Sequence, residues 1–112
     1  MSTPVINPTH VNWENPTQAI APDGSQVAWD ANTDLGGVEI QLDGVPVVSA
    51  PVSLGATSFD LTTIATYQSL PVGSHTVGLA VVTKEGAASK FTDPVTFLRS
   101  VVPFAPTGVT LA

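Results

Sequence analysis

Cysteine is absent from this chain of 112 residues. Without thiols the protein can form no disulfide, no zinc-thiolate site and no cysteine nucleophile. The absence also leaves the redox compartment undetermined.

Basic residues are scarce. Lys84, Lys90 and Arg99 stand against nine acidic residues, for a formal net charge of −6. A nucleic-acid-binding protein needs clustered lysine and arginine to displace counterions from phosphate. Attraction to an anionic membrane surface needs the same clusters. We therefore expect neither nucleic acid nor membrane among the partners.

Long apolar runs are also missing, and no stretch approaches the roughly 20 residues that span a bilayer. The N-terminus, MSTPVINPTH, has no basic region followed by an apolar region, so it does not resemble a signal peptide. These features predict a protein made in the cytoplasm. Charged residues make up only 11% of the chain and hydrophobic residues 43%, which suggests that a partner covers part of the surface.

Alternating hydrophobicity is the strongest positive signal. In Val38–Leu42, Val38, Ile40 and Leu42 alternate with polar residues, and the tight turn Asp43-Gly44 follows. Residues 70–86 (LPVGSHTVGLAVVTKEG) contain the predicted central strand. In that strand Val77, Leu79 and Val81 face the core, the other face is small and partly covered, and a hairpin turn ends it at Lys84-Glu85-Gly86.

Weaker alternation predicts further strands, which bring the total to about seven. They are Val11–Trp13, Ser25–Trp29, an edge strand containing Pro46, Thr57–Leu61 and Lys90–Leu98. Val27 and Trp29 share one face of the second of these strands, and Phe59 and Leu61 share one face of the fourth. In the last strand Phe91, Val95 and Phe97 are the expected core residues. Residues 30–37 are expected to form a loop. Residues 62–69 fit a short helix or a crossing loop, anchored by Ile64 and Tyr67. With no amphipathic helix of useful length, the pattern predicts an all-β, Greek-key β-sandwich.

Residues 22–98 resemble a fibronectin type III or related bacterial Ig-like module. The resemblance rests on Val27-Ala28-Trp29 followed by Asp34, on residues 38–47, and on residues 70–81. It implies that Trp29 is the buried core tryptophan. It also places His75 where the family usually has a tyrosine at the corner of the sandwich. Modules of this family mostly serve as spacers, adhesion domains or binding domains, and the fold alone does not decide which.

Proline-containing segments flank the predicted domain, which spans residues 11–100. Residues 1–10 are expected to form an extended arm or an irregular edge strand. Residues 101–112 (VVPFAPTGVTLA) form an apolar tail, in which residues 104–111 resemble the linker and first strand of a following fibronectin type III domain. Such a tail is suited to adding a strand to a neighbour's sheet edge, although it could also fold back or be disordered. Its candidate partner-binding residues are Val102, Phe104, Val109 and Leu111.

Few residues suggest chemistry. Asp30, Asn32 and Asp34 are spaced like the start of a calcium loop, but the glycine and glutamate that such a loop needs are missing, and backbone capping explains the pattern as well. His10 and His75 lack metal-motif partners, and His75 is expected to bond the backbone through one nitrogen. No G-x-S-x-G motif occurs. We expect neither an enzyme nor a cofactor.

Two functions remain open at this stage. A non-enzymatic assembly protein, in particular a bacteriophage capsid decoration or accessory virion protein, fits the single domain with its apolar arms. Its partners would be other virion proteins or further copies of itself. A carbohydrate-binding or adhesion module is the alternative, and it would use residues 30–37 and an exposed aromatic. Trp13 is the fifth candidate partner-binding residue. If exposed, it would contact a protein or stack on a carbohydrate, and if buried, it would close one end of the sandwich.

Overall fold

A computed structural model describes residues 4–112 of the chain. This part is strand-rich with few helices, as the sequence predicts. Its strands are β1 (Val5–Ile6), β2 (His10–Asn12), β3 (Gln18–Ile20), β4 (Gln26–Ala28), β5 (Leu35–Leu42), β6 (Val45–Pro51), β7 (Ser58–Asp60), β8 (Gly73–Thr83) and β9 (Val95–Arg99). Its helices are α1 (Ala31–Asp34), α2 (Ala65–Gln68) and a 3-10 turn (Leu61–Thr63). No helix within residues 4–112 is long and apolar enough to cross a bilayer.

The largest sheet has five strands in the order β1-β9-β8-β5-β6. All neighbours are antiparallel except β1 and β9, so part of the predicted N-terminal arm forms a short edge strand. Asp43 and Gly44 join β5 to β6 with positive φ angles of 52° and 80°, the conformation of a tight hairpin turn. Strand β6 lies at the sheet edge, where the missing N–H of Pro46 is tolerated.

Strand β8 is central, as predicted, and pairs with β5 on one side and β9 on the other. Val77 and Leu79 are buried on its inner face. On the outer face Gly78 and Ala80 are buried as well, and the side chain of Gln41 lies over Gly78. The strand ends in the predicted turn, where the N–H of Thr83 donates to the carbonyl of Ala87.

The hydrophobic core lies on the inner face of this sheet. The segment with two predicted alternatives, residues 62–69, is largely helical and covers the core, with Ile64 and Tyr67 buried. The two-stranded sheet β2-β7 lies beside it. The buried core residues are Val38, Ile40, Leu42, Leu61, Ile64, Tyr67, Val77, Leu79 and Phe97.

The predicted role of Trp29 in the core is wrong. The second predicted strand is shorter than expected, and as β4 it pairs with β3 in a separate hairpin. Val27 is exposed, and Trp29 is half-buried outside the core cluster. The physical reason is that β3 and β4 satisfy each other's hydrogen bonds, so neither strand joins the main sheet.

Two further boundaries differ from prediction. Residues 30–37 are not a loop, because Asp30 caps helix α1 and β5 already begins at Leu35. The last strand begins at Val95 rather than Lys90. Pro94 lacks an N–H, and at Thr92 the side-chain hydroxyl rather than the backbone carbonyl accepts the hydrogen bond from the N–H of Leu79. The regular ladder with β8 therefore does not extend back to Lys90. Phe97 is buried as predicted. Phe91 is only half-buried, and Val95 is 62% exposed rather than part of the core.

Candidate functional site

The C-terminal segment, residues 101–112, is exposed throughout. Its large apolar side chains are almost fully open to solvent: Val102 is 70% exposed, Phe104 99%, Val109 78% and Leu111 99%. These are the four partner-binding residues that the sequence predicts for the tail. None of them packs in the hydrophobic core of residues 4–100, which we call the body.

The C-terminal segment projects from the body. The radius of gyration is 18.1 Å, whereas a compact domain of this size has about 13 Å. The longest dimension is 72 Å against 29 Å and 27 Å for the others. Ser100 marks the departure point, because its N–H donates to Asn7 Oδ1 at 3.0 Å and its carbonyl accepts from Asn7 Nδ2 at 2.8 Å.

An open cleft of about 450 Å³ lies between β2 and the inner face of β8 and β9. We call it the apolar cleft. Its walls include Val11, Trp13, Val77, Leu79, Val95 and Phe97. The opening explains why Val95 is exposed although it lies on the same face of β9 as the buried Phe97.

Strand β2 presents an unpaired edge. The carbonyl of Thr9 accepts from Leu61, and the N–H of Trp13 donates to Thr57, so these residues point toward β7. Backbone groups alternate in direction along an antiparallel strand. His10 and Asn12 therefore direct their N–H and C=O groups away from β7, toward the other edge of β2. Within residues 4–112, no strand pairs with β2 at that edge.

Trp13 is half-buried and packs against the core cluster. Its Nε1 donates to Asn15 Oδ1 at 2.8 Å, and Asn15 in turn donates to the carbonyl of Ala56 at 2.9 Å. Trp13 therefore has two roles. One part of its ring borders the apolar cleft, and another part covers the edge of the hydrophobic core.

Trp13 and Trp29 also line one shallow hollow of about 470 Å³. Trp29 is held there by a hydrogen bond of 2.8 Å from its Nε1 to Asp34 Oδ2. Polar side chains, including Asn15 and Asn32, surround the two rings. The sequence does not predict this pairing, because the two tryptophans lie on separate segments and only the hairpin β3-β4 brings Trp29 back toward Trp13.

Apart from Tyr67, His75 is the one buried residue with a polar side chain in the part of the chain that the structure describes. Its Nε2 lies 2.8 Å from the carbonyl of Pro71, as the prediction of one backbone bond requires. Its Nδ1 lies 2.7 Å from Asp43 Oδ2, a partner that sequence reasoning missed. The hydrogen bond with Asp43, supported by the Pro71 carbonyl, raises the pKa of His75, and the same bond with His75 lowers the pKa of Asp43.

The carboxylates of the suspected calcium loop accept hydrogen bonds from the protein itself. Asp30 Oδ1 accepts from the N–H of Asn32 at 2.9 Å and caps helix α1. Asp34 accepts from Trp29. Within residues 4–112 no group of three or more histidine, aspartate or glutamate side chains is placed to hold a metal ion.

Comparisons with protein-family models, with curated proteins and with solved structures find no match to this chain. The fibronectin type III resemblance therefore stays a prediction from the sequence.

Proposed function

We propose that this protein is a non-enzymatic structural protein that makes protein–protein contacts through its C-terminal segment. The observation that carries the proposal is the exposure of Val102, Phe104, Val109 and Leu111 on one projecting segment. Burying a side chain of this kind stabilises a complex by about 1.5–3 kcal/mol. Two or three such anchors, buried together, supply much of the free energy that a specific contact needs.

The body is proposed to be an Ig-like Greek-key β-sandwich that holds the segment in place. This proposal is supported by the position of the core, which lies between the five-stranded sheet and a second layer. That layer is formed by β2, β7 and the helical residues 61–68. A rigid body with few charges and a projecting apolar segment suits a building block whose contacts are made at its edges.

The proposed setting is a bacteriophage particle, in which the protein serves as a capsid decoration or accessory virion protein. This part of the proposal rests on the sequence: the resemblance to Ig-like modules, the low charge and the apolar arm. Partners would be other virion proteins or further copies of the chain.

The test compares the full chain with a chain that ends at Ser100. Light scattering after size exclusion measures the solution mass of each. Phage particles made by the genome that encodes the chain are purified on a density gradient and incubated with each form, and bound protein is detected with antiserum. The full chain is expected to self-associate or to bind the particles, and the shortened chain to do neither. Equal behaviour of the two forms in both assays would refute the role of the segment.

A second candidate function is glycan binding in the hollow lined by Trp13 and Trp29. Aromatic faces stack on sugar rings, and the neighbouring amides and carboxylates offer hydrogen bonds to hydroxyls. Because the hollow lies on the body, a chain that ends at Ser100 would still bind a glycan array. Replacing Asn32, an exposed polar residue of the hollow, with alanine would weaken that binding.

A further inference from the structure

We propose that the apolar cleft receives the last six residues, Thr107–Ala112, of a second copy of this chain as a strand added to β2. The inference rests on the proposed function, since it names the partner of the C-terminal segment. It also names the surface on that partner where the segment binds.

The donor residues have the pattern of a strand. Pro103 and Pro106 interrupt the first half of the segment, but residues 107–112 contain no proline that would break a ladder. Val109 and Leu111 alternate with Thr110 and Ala112, so one face is strongly apolar. Gly108 has a φ of 71° in the structure, so this residue must become extended when the strand is added. Six residues in extended form span about 20 Å, the usual length of a strand.

The acceptor offers both things that an added strand needs. The outward N–H and C=O groups of His10 and Asn12 provide the hydrogen-bonding edge. The facing wall provides an apolar floor, in which Val77 and Leu79 lie deep and Val95 lies at the opening. With Val109 and Leu111 directed toward this floor, the added strand would cover the exposed side of Val95.

Geometry favours a second copy over the chain's own tail. The paired hydrogen bonds between Ser100 and Asn7 hold the segment where it leaves the body, beyond the end of β9. Val95, at the opening of the cleft, lies at the other end of that strand. In the structure residues 101–112 are exposed throughout and extend away from the body rather than back along β9. Each copy thus carries one donor and one acceptor, and such a head-to-tail contact generates rings or open chains.

Two variants separate the donor from the acceptor. Leu111→Asp places a charge on the inserting face of the segment, and Thr110→Asp is its matched control, with the same charge one residue away on the opposite face. Val95→Asp places a charge in the cleft. Its control is Val45→Asp, because Val45 is 60% exposed on a distant sheet edge and Val95 is 62% exposed.

Sedimentation velocity over a concentration series measures self-association of each full-length variant. Leu111→Asp and Val95→Asp are each expected to weaken it by about tenfold or more, the effect of a desolvated anchor in an interface. The two controls are expected to associate like the unaltered chain. Circular dichroism establishes that all four variants are folded.

Mixing gives the decisive result. Leu111→Asp retains an intact cleft and Val95→Asp retains an intact segment, so an equimolar mixture should form 1:1 dimers although neither variant associates alone. No dimer in the mixture would overturn the inference. So would an unaltered chain that stays monomeric because its own segment folds back into its cleft. If Val95→Asp associates normally while loss of residues 101–112 abolishes association, the segment binds elsewhere; the inference then fails and the proposed function stands.

Discussion

His75 shows how a single buried side chain joins three parts of the chain. It lies in β8, and its ring bonds the turn before β8 through Pro71 and the hairpin after β5 through Asp43. A carbonyl and a carboxylate both accept, so both ring nitrogens must donate, and that requires the protonated imidazolium. Asp43 also accepts from the N–H of Thr76 at 2.9 Å, which fixes its carboxylate for this pairing.

The pair makes stability depend on pH in a stated direction. The raised pKa of His75 means that its contribution is complete at low pH and is lost as pH rises through that pKa. The lowered pKa of Asp43 means that its contribution is lost in acid. The free energy of unfolding, from urea titrations, should therefore fall as pH rises above about 6.5, the ordinary pKa of histidine. Asp43→Asn should flatten this fall and lower stability at pH 5.5 by about 1 kcal/mol, a modest figure because the carboxylate is partly exposed.

Asp23 supplies the control for this experiment. Its pKa is also lowered, by hydrogen bonds from Ser25, but it lies in an exposed turn far from any histidine contact. Asp23→Asn should keep the full decrease above about pH 6.5. If Asp43→Asn showed the same decrease, the His75–Asp43 pair would not be the cause of the loss of stability at high pH.

At the scale of elements, the start of β5 depends on two consecutive glycines. The register between β5 and β8 shifts between Leu35 and Gly37. At this irregularity the backbones come so close that a Cβ on Gly36 would lie 2.8 Å from Lys84 Cα and from the Thr83 carbonyl oxygen. The N–H of Lys84 donates to the carbonyl of Asp34 at 2.9 Å, which holds the end of β8 against the end of α1.

Gly36→Ala is therefore expected to destabilise the protein. Because the nearest atoms belong to backbone, the strands must move apart, at a cost of about 1–3 kcal/mol in the free energy of unfolding. Gly78→Ala is the matched control. A Cβ there meets the side chain of Gln41, which can swing away, so the cost should be clearly smaller. Chemical denaturation of both variants measures the difference, and equal losses would contradict this account of Gly36.

The whole molecule consists of a body and a segment with separate tasks. The body ends where Ser100 bonds Asn7 and where the Arg99 guanidinium lies 4.6 Å from the ring centre of Tyr67. The Tyr67 hydroxyl in turn donates to the carbonyl of Pro8, so the two chain ends are fastened to the same part of the core. Residues 101–112 lie beyond this point and are exposed.

Removal of residues 101–112 should leave the stability of the body nearly unchanged. The melting temperature of a dilute chain that ends at Ser100 should lie within about 2 °C of the full chain, and small-angle scattering should show a radius of gyration near 13 Å. A chain that ends at Leu98 is the control. It loses the Asn7 bonds and the Arg99–Tyr67 contact, so its melting temperature should drop by several degrees, about 4–8 °C for each kcal/mol. A large drop on removal of 101–112 alone would mean that the segment packs on its own body.

The amino-acid sequence by itself determined the features that depend on neighbours along the chain. Alternation identified β5 and β8, and Asp43-Gly44 marked the tight turn. The apolar composition of residues 101–112 was also visible in the sequence, whereas their exposure was decided by the structure. The strands and the turn depend on local backbone preference or on the period of two, so no distant residue is needed to recognise them.

Only the tertiary structure decided which segments meet. Trp29 follows the family pattern in sequence, yet the pairing of β3 with β4 places it in a side hairpin near Trp13 rather than in the core. Val95 has the right alternation for burial, but the two layers leave a cleft beside it. The partnership of His75 with Asp43 depends on the register of β5 against β8. These outcomes follow from competition among distant surfaces for burial and hydrogen bonds, and a local pattern contains no record of that competition.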